Sequence, residues 1–363
     1  TTQDVVEGKK REFERRCGVP VLKHYSVPWD FDGRLNGTCR GWEVPSTKAR
    51  ALNYGLMFLS KETEICGFYD AESRPERDTL LYIAYRYLET DGQVKLWQGP
   101  VFQVRNFFQL GALNKVAAIY QAVAHEWYLP VLMKYLPFVG GTNLFVERNL
   151  LESIGGYDHQ ILSEDLELGA RAYLEAGAWP EYFPFVSTEQ TPATYRAYFR
   201  QRLRWGSGHL QVVDKFRQAV HYPAEKREPL LKNLFWKGQG EWIFYQMAVA
   251  VTLAILPFVL AGYSDPSMIP LNIRRVMQIN VPIYFMFTFS RYFHFKKYID
   301  FSVAPRSFWK RWLAVGHLVV LPLGGIFFPL PFTTAVILRW LHREPQVWIK
   351  TPRTKELSQQ LTR

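Results

Sequence analysis

Two acidic residues follow an apolar segment that has the features of a buried strand. Asp70 and Glu72 come directly after the run TEICGFY, which ends at Tyr69. Carboxylates at the carboxyl end of a strand lie where open α/β sheets place ligands. Two hard oxygen ligands there suit Mg²⁺ or Mn²⁺ bridging a diphosphate. A solvated turn after a strand explains the same residues equally well when they are considered alone.

A second acidic group precedes a predicted helix. Ser163, Glu164 and Asp165 are followed by LELGARAYLEAG, so Ser163 is predicted as the N-cap and Gly177 as the residue that ends the helix. Because a helix N-terminus favours negative charge, Asp165 is expected to stay ionised and could act as a base at neutral pH. In isolation the pattern favours the simpler interpretation, that these carboxylates only stabilise the helix start.

A basic and aromatic group lies further along the chain. Gln201, Arg202, Arg204 and Trp205 fall in a predicted helix with Thr191 as N-cap and Pro192 as its first residue. Guanidinium groups beside an indole can bind a diphosphate and offer a flat surface on which a sugar or a base can stack. The alternative is a basic helix that rests on lipid headgroups.

The first 220 or so residues must position these side chains. Their pattern of strands and helices predicts an α/β domain. Val19–Val27 and Glu64–Tyr69 are predicted strands, and Thr47–Ser60 is a predicted helix because its apolar residues recur at helical spacing. The run Gly140-Gly141-Thr142-Asn143 offers a backbone that can approach a ligand closely, although such runs are more often plain turns.

The composition separates this domain from the C-terminal part of the chain. The 363 residues are 48% hydrophobic and 21% charged, which excludes a disordered chain, and the net charge of +11 indicates an anionic partner. Three cysteines without C-x-x-C spacing exclude a disulfide framework. Apolar residues concentrate after about residue 241, and long uncharged runs predict membrane spans at Trp242–Tyr263, Val276–Ser290 and Leu313–Leu338, the third broken by prolines and glycines.

The charges between these runs predict the topology. The loop from Arg291 to Arg311 and the tail after Leu338 are both basic, so the positive-inside rule places them in the cytoplasm together with the α/β domain. Both ends of the third run then lie on one side, which favours a helix pair that re-enters. A nucleic-acid-binding protein is excluded by the apolar runs, since the charge is spread through interfacial loops.

The order of the motifs resembles that of a known enzyme family. KARALN at Lys48, DAES at Asp70, GGTN at Gly140, SED at Ser163 and QRLRW at Gln201 precede the apolar region. This order is similar to that of the membrane-embedded family 2 glycosyltransferases, which include cellulose, hyaluronan and chitin synthases. Five motifs in order are far more specific than any one of them.

The resemblance implies a GT-A-like fold, Rossmann-like with a mixed sheet, followed by transmembrane helices. It assigns metal binding to Asp70 and Glu72 and the role of catalytic base to Asp165. The implied substrate-binding residues are Lys48, Glu164, Gln201, Arg202, Arg204 and Trp205. In this sequence Ser163 replaces the usual Thr and Glu72 replaces the usual second Asp. The implied cofactor is Mg²⁺ or Mn²⁺, and the implied partners are a nucleotide sugar, expected to be a UDP-hexose, a glycan or lipid acceptor, and membrane lipids.

The function expected from this resemblance is inverting transfer of a hexose to a growing β-linked polysaccharide at the plasma membrane. The alternatives are a single addition that makes a glycolipid and an inactive membrane scaffold. We expect a glycosyltransferase domain over 1–222, an interfacial linker over 223–241, membrane helices over 242–341 and a basic tail over 342–363. The chain opens at a point that resembles the stretch after the family's base-binding motif, so the resemblance implies that the nucleotide-base pocket lies further upstream.

Overall fold

Two small mixed sheets form the centre of the α/β part, in a computed structural model that describes residues 2–18, 22–261, 270–343 and 345. The strands are β1 (Ile65–Phe68), β2 (Arg74–Pro75), β3 (Leu96–Gln98), β4 (Val101–Phe102), β5 (Leu144–Glu147), β6 (Glu181–Tyr182) and β7 (Ser187–Thr188). The larger sheet has the order β1-β5-β3-β6, with β5 antiparallel to β1 and β3, and β6 parallel to β3. The smaller sheet has the order β2-β7-β4.

Helices surround these sheets and continue beyond them. They are α1 (Thr2–Cys17), α2 (Lys48–Leu56), α3 (Thr79–Glu89), α4 (Ala112–Val123), α5 (Leu129–Leu132), α6 (Arg148–Ser153), α7 (Glu164–Ala176), α8 (Tyr195–Gln218), α9 (Ala224–Asn233), α10 (Gly240–Leu260), α11 (Leu271–Phe295), α12 (Phe308–Gly316), α13 (Leu321–Phe327) and α14 (Leu330–Trp340). A π-helical turn over Ala124–Tyr128 joins α4 to α5, and another over Leu234–Gln239 joins α9 to α10.

The core lies on both faces of β5, which is buried along its whole length. Leu144 and Val146 pack in a cluster with Leu168 of α7, whereas Phe145, between them, packs on the opposite face against Trp97. This alternation follows from the two-residue period of a strand. A sheet covered on both faces holds the loops at its edge in fixed positions, and the acidic motif at Asp70 follows β1 at such an edge.

The helices after α10 do not stand apart from the α/β part. Tyr292 and Phe295 of α11 pack in one buried cluster with Phe102 of β4 and Ile119 of α4, together with Leu318 from the segment that links α12 to α13. Helix α14 packs along α8. The C-terminal helices and the candidate site therefore share one structural framework.

Local signals predicted several elements correctly. The strand predicted at Glu64–Tyr69 is confirmed as β1. The helix predicted over Thr47–Ser60 is α2, where Thr47 accepts a hydrogen bond from the backbone N–H of Arg50, but it ends at Leu56, before a turn at Ser60. Gly177 ends α7 with a φ of 65°, as predicted.

Two predictions about element positions are wrong. Residues 22–27 form no strand, because Tyr25 stacks on Phe58 beyond the end of α2 instead of pairing in a sheet; residues 19–21 of that predicted strand lie outside the described residues. Helix α8 begins three residues later than expected, with Thr194 as its N-cap. Thr191 is buried instead, and its N–H donates to Oδ1 of Asn106.

The three predicted spans have different outcomes. The first two lie in α10 and α11, although Tyr263 at the end of the first lies outside the described residues. Within the described part of the chain, one helical stretch, Phe308–Trp340, is long and apolar enough to cross a membrane by length and composition. It is broken into α12, α13 and α14, with Pro322 and Pro331 near the starts of the last two.

The basic loop between α11 and α12 packs against the α/β part. The N–H of Asp300 donates to the carbonyl oxygen of Arg105 at 2.9 Å, and the rings of Phe301 and Phe108 meet edge to face. The loop and the α/β part are therefore on the same side of any membrane that the helices enter. Most of the predicted basic tail lies outside the described residues.

Candidate functional site

Three predicted site residues from three different elements meet beside the backbone of Gly141. The ammonium group of Lys48, at the start of α2, donates to Oδ1 of Asp70 and to the carbonyl oxygen of Gly141, each at 2.5 Å. A methyl group on Gly141 would lie 3.0 Å from Nζ of Lys48 and 3.1 Å from Oδ2 of Asp165. The structure thus brings together Lys48, Asp70 and Asp165, which are far apart in the sequence.

The charge of Lys48 is stabilised by this arrangement. Burial alone would lower the pKa of Lys48, but the carboxylates of Asp70, Glu164 and Asp165 outweigh burial and raise it. An ammonium held at the junction of three carboxylates stays charged at neutral pH. Its position can offset negative charge on whatever anion enters.

The first turn of α7 differs from the sequence-based expectation. Burial, followed by the charge of Asp165, raises the pKa of Glu164 to about 7, and burial also raises the pKa of Asp165. The helix N-terminus was expected to keep Asp165 ionised, but desolvation opposes that effect. The backbone N–H of Leu166 donates to Oδ1 of Asp165 at 2.8 Å, and Oδ2 is the atom directed towards Gly141.

The loop after β1 is fixed by a chain of hydroxyl groups. The N–H of Asp70 donates to Oγ1 of Thr142 at 3.3 Å, which is 2.9 Å from Oγ of Ser73. Ser73 in turn donates to Oε1 of the buried Glu189 at 2.5 Å. Sequence reasoning missed Glu189, because it lies more than a hundred residues from Ser73 along the chain and belongs to no motif.

Glu72 has a different environment from Asp70. Both carboxylate oxygens of Glu72 are buried, and its carbonyl oxygen accepts a hydrogen bond from Nη2 of Arg105 at 2.6 Å. The Asp70 side chain keeps 31% of its surface exposed. Asp70 is therefore the carboxylate of this motif that faces the open site in the present conformation.

The side chain of Gln98 holds the GGTN segment in place. The sequence pattern assigned no role to this residue. Oε1 of Gln98 accepts from the N–H of Gly140 at 2.7 Å, and its Nε2 donates to the carbonyl oxygen of Thr142 at 3.1 Å. Asn143 adopts a φ of 52° and donates to the carbonyl oxygens of Pro100 and Phe185. The segment is a rigid support for the site.

The remaining residues of the KARALN motif fix α2 in place. Nδ2 of the fully buried Asn53 donates to the carbonyl oxygens of Gly33 and Tyr157, and its Oδ1 accepts from the N–H of Tyr157. Nε of Arg50 donates to the carbonyl oxygen of Phe31 at 2.8 Å. These contacts fix the position from which Lys48 extends.

Helix α8 presents its motif residues in unequal ways. The guanidinium carbon of Arg202 lies 3.8 Å from the centroid of the Trp205 ring and 5.1 Å from that of Tyr198, and Arg202 is buried. Gln201 is also buried, and its side-chain oxygen has no hydrogen-bond partner within the described part of the chain. Arg204 is half-buried, and its Nη1 lies 3.4 Å from the carbonyl oxygen of Leu162.

Helices α7 and α8 make close contact at Ser163. Ser163 is at the N-cap position as predicted, but its side chain makes no capping hydrogen bond. It packs against Gly208 of α8, where a methyl group would lie 2.7 Å from the backbone nitrogen of Ser163. Only a residue without a side chain allows this approach.

The predicted metal site consists of two residues. No cluster of three or more His, Cys, Asp or Glu side chains that could hold a metal occurs among the described residues. A divalent cation bound by one or two carboxylates and substrate phosphates does not need such a cluster. Asp70 fits as a ligand in its present position, whereas the buried carboxylate of Glu72 would have to turn outwards.

Comparison with known proteins identifies the family. Residues 68–342 match the sequence model of the glycosyl transferase family group 2. The chain belongs to this family. Its α/β part, with mixed sheets, is a GT-A-like glycosyltransferase fold, as the resemblance implied.

Individual relatives of this glycosyltransferase chain carry several names. It is 29% identical over 205 residues to the probable glycosyltransferase YdaM of Bacillus subtilis, covering 54% of this chain and 46% of the relative. It is 25% identical over 178 residues to the beta-monoglucosyldiacylglycerol synthase of Trichormus variabilis, covering 47% and 36%. It is 23% identical over 285 residues to glucomannan 4-beta-mannosyltransferase 1 of Cyamopsis tetragonoloba, covering 74% and 51%.

The chain spans about half the length, or less, of these curated relatives. Among solved structures, a mannosyltransferase of Pyrobaculum calidifontis in complex with GDP-mannose and Mn²⁺ overlaps with a TM-score of 0.39 and 18% identity, covering 82% of this chain and 68% of that one.

Proposed function

We propose that this protein is an inverting hexosyltransferase that moves a sugar from a nucleotide sugar, with UDP-hexose as the expected donor, to a growing β-linked glycan. The observation that carries the proposal is the meeting of Lys48, Asp70 and Asp165 at Gly141. Transfer from a nucleotide sugar requires charge stabilisation for the leaving diphosphate and a base for the acceptor hydroxyl, and these side chains supply both.

Asp165 is the proposed base. Its Oδ1 is occupied by the N–H of Leu166, so Oδ2 takes the proton from the acceptor hydroxyl as that oxygen attacks the anomeric carbon. The raised pKa of Asp165 makes it a stronger base than an exposed carboxylate. The ammonium of Lys48, which binds Asp70, places its positive charge near the departing diphosphate.

Asp70, with Glu72 if its side chain turns outwards, would hold Mg²⁺ or Mn²⁺. When bound, the metal offsets the charge of the diphosphate as it leaves. Asp70 is fixed for this role through its N–H by Thr142. The ammonium of Lys48, which binds Oδ1 of Asp70, would add positive charge beside the phosphate oxygens of a bound donor.

The acceptor side of the site is assigned to α8. Trp205 offers an indole on which an acceptor sugar can stack, and Gln201 offers a buried amide oxygen.

Arg204 is the proposed diphosphate ligand. Arg202 was expected to share that role, but its stacked guanidinium is better suited to fix the plane of the Trp205 ring.

The membrane-embedded arrangement belongs to the proposal as well. We infer an α/β domain over 1–222 on the cytoplasmic side, a linker over 223–241, membrane or interfacial helices over 242–341 in the plasma membrane and a basic tail over 342–363. The packing of the basic loop against the α/β part supports this placement. Among the relatives, one is named as a glycolipid synthase and another as a glucomannan mannosyltransferase, so product length is the property to measure.

The test is incubation of membranes that contain the complete protein with a panel of labelled nucleotide sugars, followed by sizing of the product. A long polymer supports the proposal, and a lipid with one added sugar supports glycolipid synthesis instead. Absence of transfer from every donor would contradict both and would support the inactive scaffold.

Asp165→Asn tests the role of the base, because it removes the carboxylate and keeps the shape of the side chain. We expect transfer to fall about 100-fold or more, with binding of the nucleotide sugar retained, as loss of a general base has this effect. Near-normal transfer by this variant would show that Asp165 is not the base.

A further inference from the structure

One face of α8 contacts the start of α7 at successive turns. Arg204, Gly208, Gln211 and Lys215 are spaced by four, three and four residues, so they lie on one side of the helix. Each of them meets a group just before or within the first turn of α7. This face extends beyond the QRLRW motif, which ends at Trp205.

The contacts of this face centre on Leu162 and Glu167. Oε1 of Gln211 accepts from the N–H of Leu162 at 3.0 Å, while Nη1 of Arg204 approaches the carbonyl oxygen of the same residue at 3.4 Å. Nζ of Lys215 donates to Oε1 of the fully buried Glu167 at 2.5 Å. Between these contacts, Gly208 lies against Ser163.

The contact between Gln211 and Leu162 affects the distance between the proposed base and the acceptor sugar. Leu162 lies three residues before the proposed base, Asp165, and Gln211 lies six residues after Trp205 on the helix that offers the acceptor surface. The hydrogen bond between Gln211 and Leu162 therefore joins the element that carries the base to the element that carries the acceptor. Misplacement by 1 Å can reduce a reaction rate about 100-fold.

We propose that Gln211 is a positioning residue that sets the place of Asp165 relative to Trp205 through the N–H of Leu162. The inference rests on the proposed function, since it assigns the base to α7 and the acceptor to α8. Gln211 touches neither substrate nor metal in this scheme, so it acts only through the placement of α7.

The test compares Gln211→Met, which keeps the length of the side chain and removes the acceptor oxygen, with Gln211→Glu, which retains an oxygen for the N–H of Leu162. We expect Gln211→Met to lower kcat for transfer about tenfold while the KM for the nucleotide sugar stays unchanged. Donor hydrolysis should fall less than transfer. Gln211→Glu should restore most of the transfer rate.

Gln218→Met is the matched control, since Gln218 is exposed at the end of α8. It should leave all rates unchanged. Gln211→Asn, whose amide is one carbon too short to reach Leu162, replaces Gln211→Met if that variant does not fold. Transfer at the wild-type rate, or equal loss of transfer and hydrolysis in proportion to lost folded protein, would overturn the positioning role.

A measurement that does not depend on turnover separates this inference from the proposed function. Spin labels at the exposed positions 160 and 217, in a protein with Cys17 and Cys39 replaced by Ser, report the distance between the start of α7 and the end of α8. We expect a broader or shifted distance distribution in Gln211→Met and the original one in Gln211→Glu. An unchanged distribution in Gln211→Met contradicts the inference, whereas a wild-type protein that transfers no sugar contradicts only the proposed function.

Discussion

At the scale of single residues, Glu164 and Asp165 are neighbouring carboxyl groups at the start of α7, near the ammonium of Lys48, and Glu164 is buried while Asp165 is half-buried. Burial raises the pKa of both, and the charge of Asp165 also raises the pKa of Glu164, to about 7. Removal of one negative charge should therefore make the other carboxylate easier to form.

The pH dependence of transfer follows from this pair. Asp165 must be ionised to act as a base, so the transfer rate should rise with pH as the pair loses its protons. Glu164→Gln removes a neighbouring carboxylate and should move this rise to lower pH, because adjacent carboxylates oppose each other's ionisation. The measurement is kcat/KM for transfer between pH 5 and 9. A rise at the same pH in both proteins would show that the two carboxyl groups do not interact.

Residue identity alone did not distinguish Arg202 from Arg204, because both are guanidinium groups in one motif. Their difference comes from the direction in which each leaves the helix. Arg202 points inwards between Tyr198 and Trp205, and Arg204 points towards the start of α7. Positions two apart on a helix face different ways, so the spacing could have separated their roles but could not show which one faced the site.

At the scale of elements, the sequence predicted those whose signals are local. Strand β1 and the termini of α7 follow from a short apolar run, an acidic first turn and Gly177. The strand expected around Tyr25 failed because pairing depends on a distant partner, and that side chain stacks on Phe58. Thr191 failed as a cap because Asn106, 85 residues away, binds its N–H.

The candidate site shows the same division. The motifs named Lys48, Asp70 and Asp165, but their meeting point, Gly141, and its support, Gln98, emerge only when distant strands pair. Neither Gln98 nor Glu189 belongs to a pattern that a single sequence reveals. Their roles come from tertiary contacts with the GGTN segment and the loop at Asp70.

The GGTN segment leads to a prediction about Gly141. A methyl group there would lie 3.0 Å from Nζ of Lys48 and 3.1 Å from Oδ2 of Asp165, which is tighter than ordinary contact. We expect Gly141→Ala to lower the transfer rate about tenfold or more by displacing these groups, with little change in thermal stability. Measurement of kcat alongside the melting temperature checks this. Full activity would show that the side chains of Lys48 and Asp165 can move away from the methyl group without loss of transfer.

At the scale of the whole molecule, the C-terminal helices are packed onto the α/β part through α4, β4 and α8. Hydropathy predicted helices in this region, and α10 to α14 are found there. It could not predict that Tyr292, Phe295 and Leu318 would share a core with the α/β part, because an apolar side chain packs equally well against lipid and protein.

The proposed topology can be tested at Ser302, which is exposed in the basic loop. In a protein that lacks Cys17 and Cys39, Ser302→Cys should react with an impermeant thiol reagent only after the cells are permeabilised, since the basic loop is expected in the cytoplasm. A cysteine on the surface of an extracellular tag serves as the positive control. Labelling in intact cells would reverse the orientation.

The contacts of Arg105 limit how the C-terminal helices of this protein can be exchanged with those of a relative. Its carbonyl oxygen accepts from Asp300 in the loop after α11, its Nη2 donates to the carbonyl oxygen of Glu72, and its Nη1 donates to that of Thr188. One buried side chain thus binds the acidic motif while its own backbone binds the loop between two C-terminal helices. A chimera that exchanges the C-terminal helices must preserve the backbone geometry at residue 300, or the graft will disturb a loop more than two hundred positions away in the catalytic half.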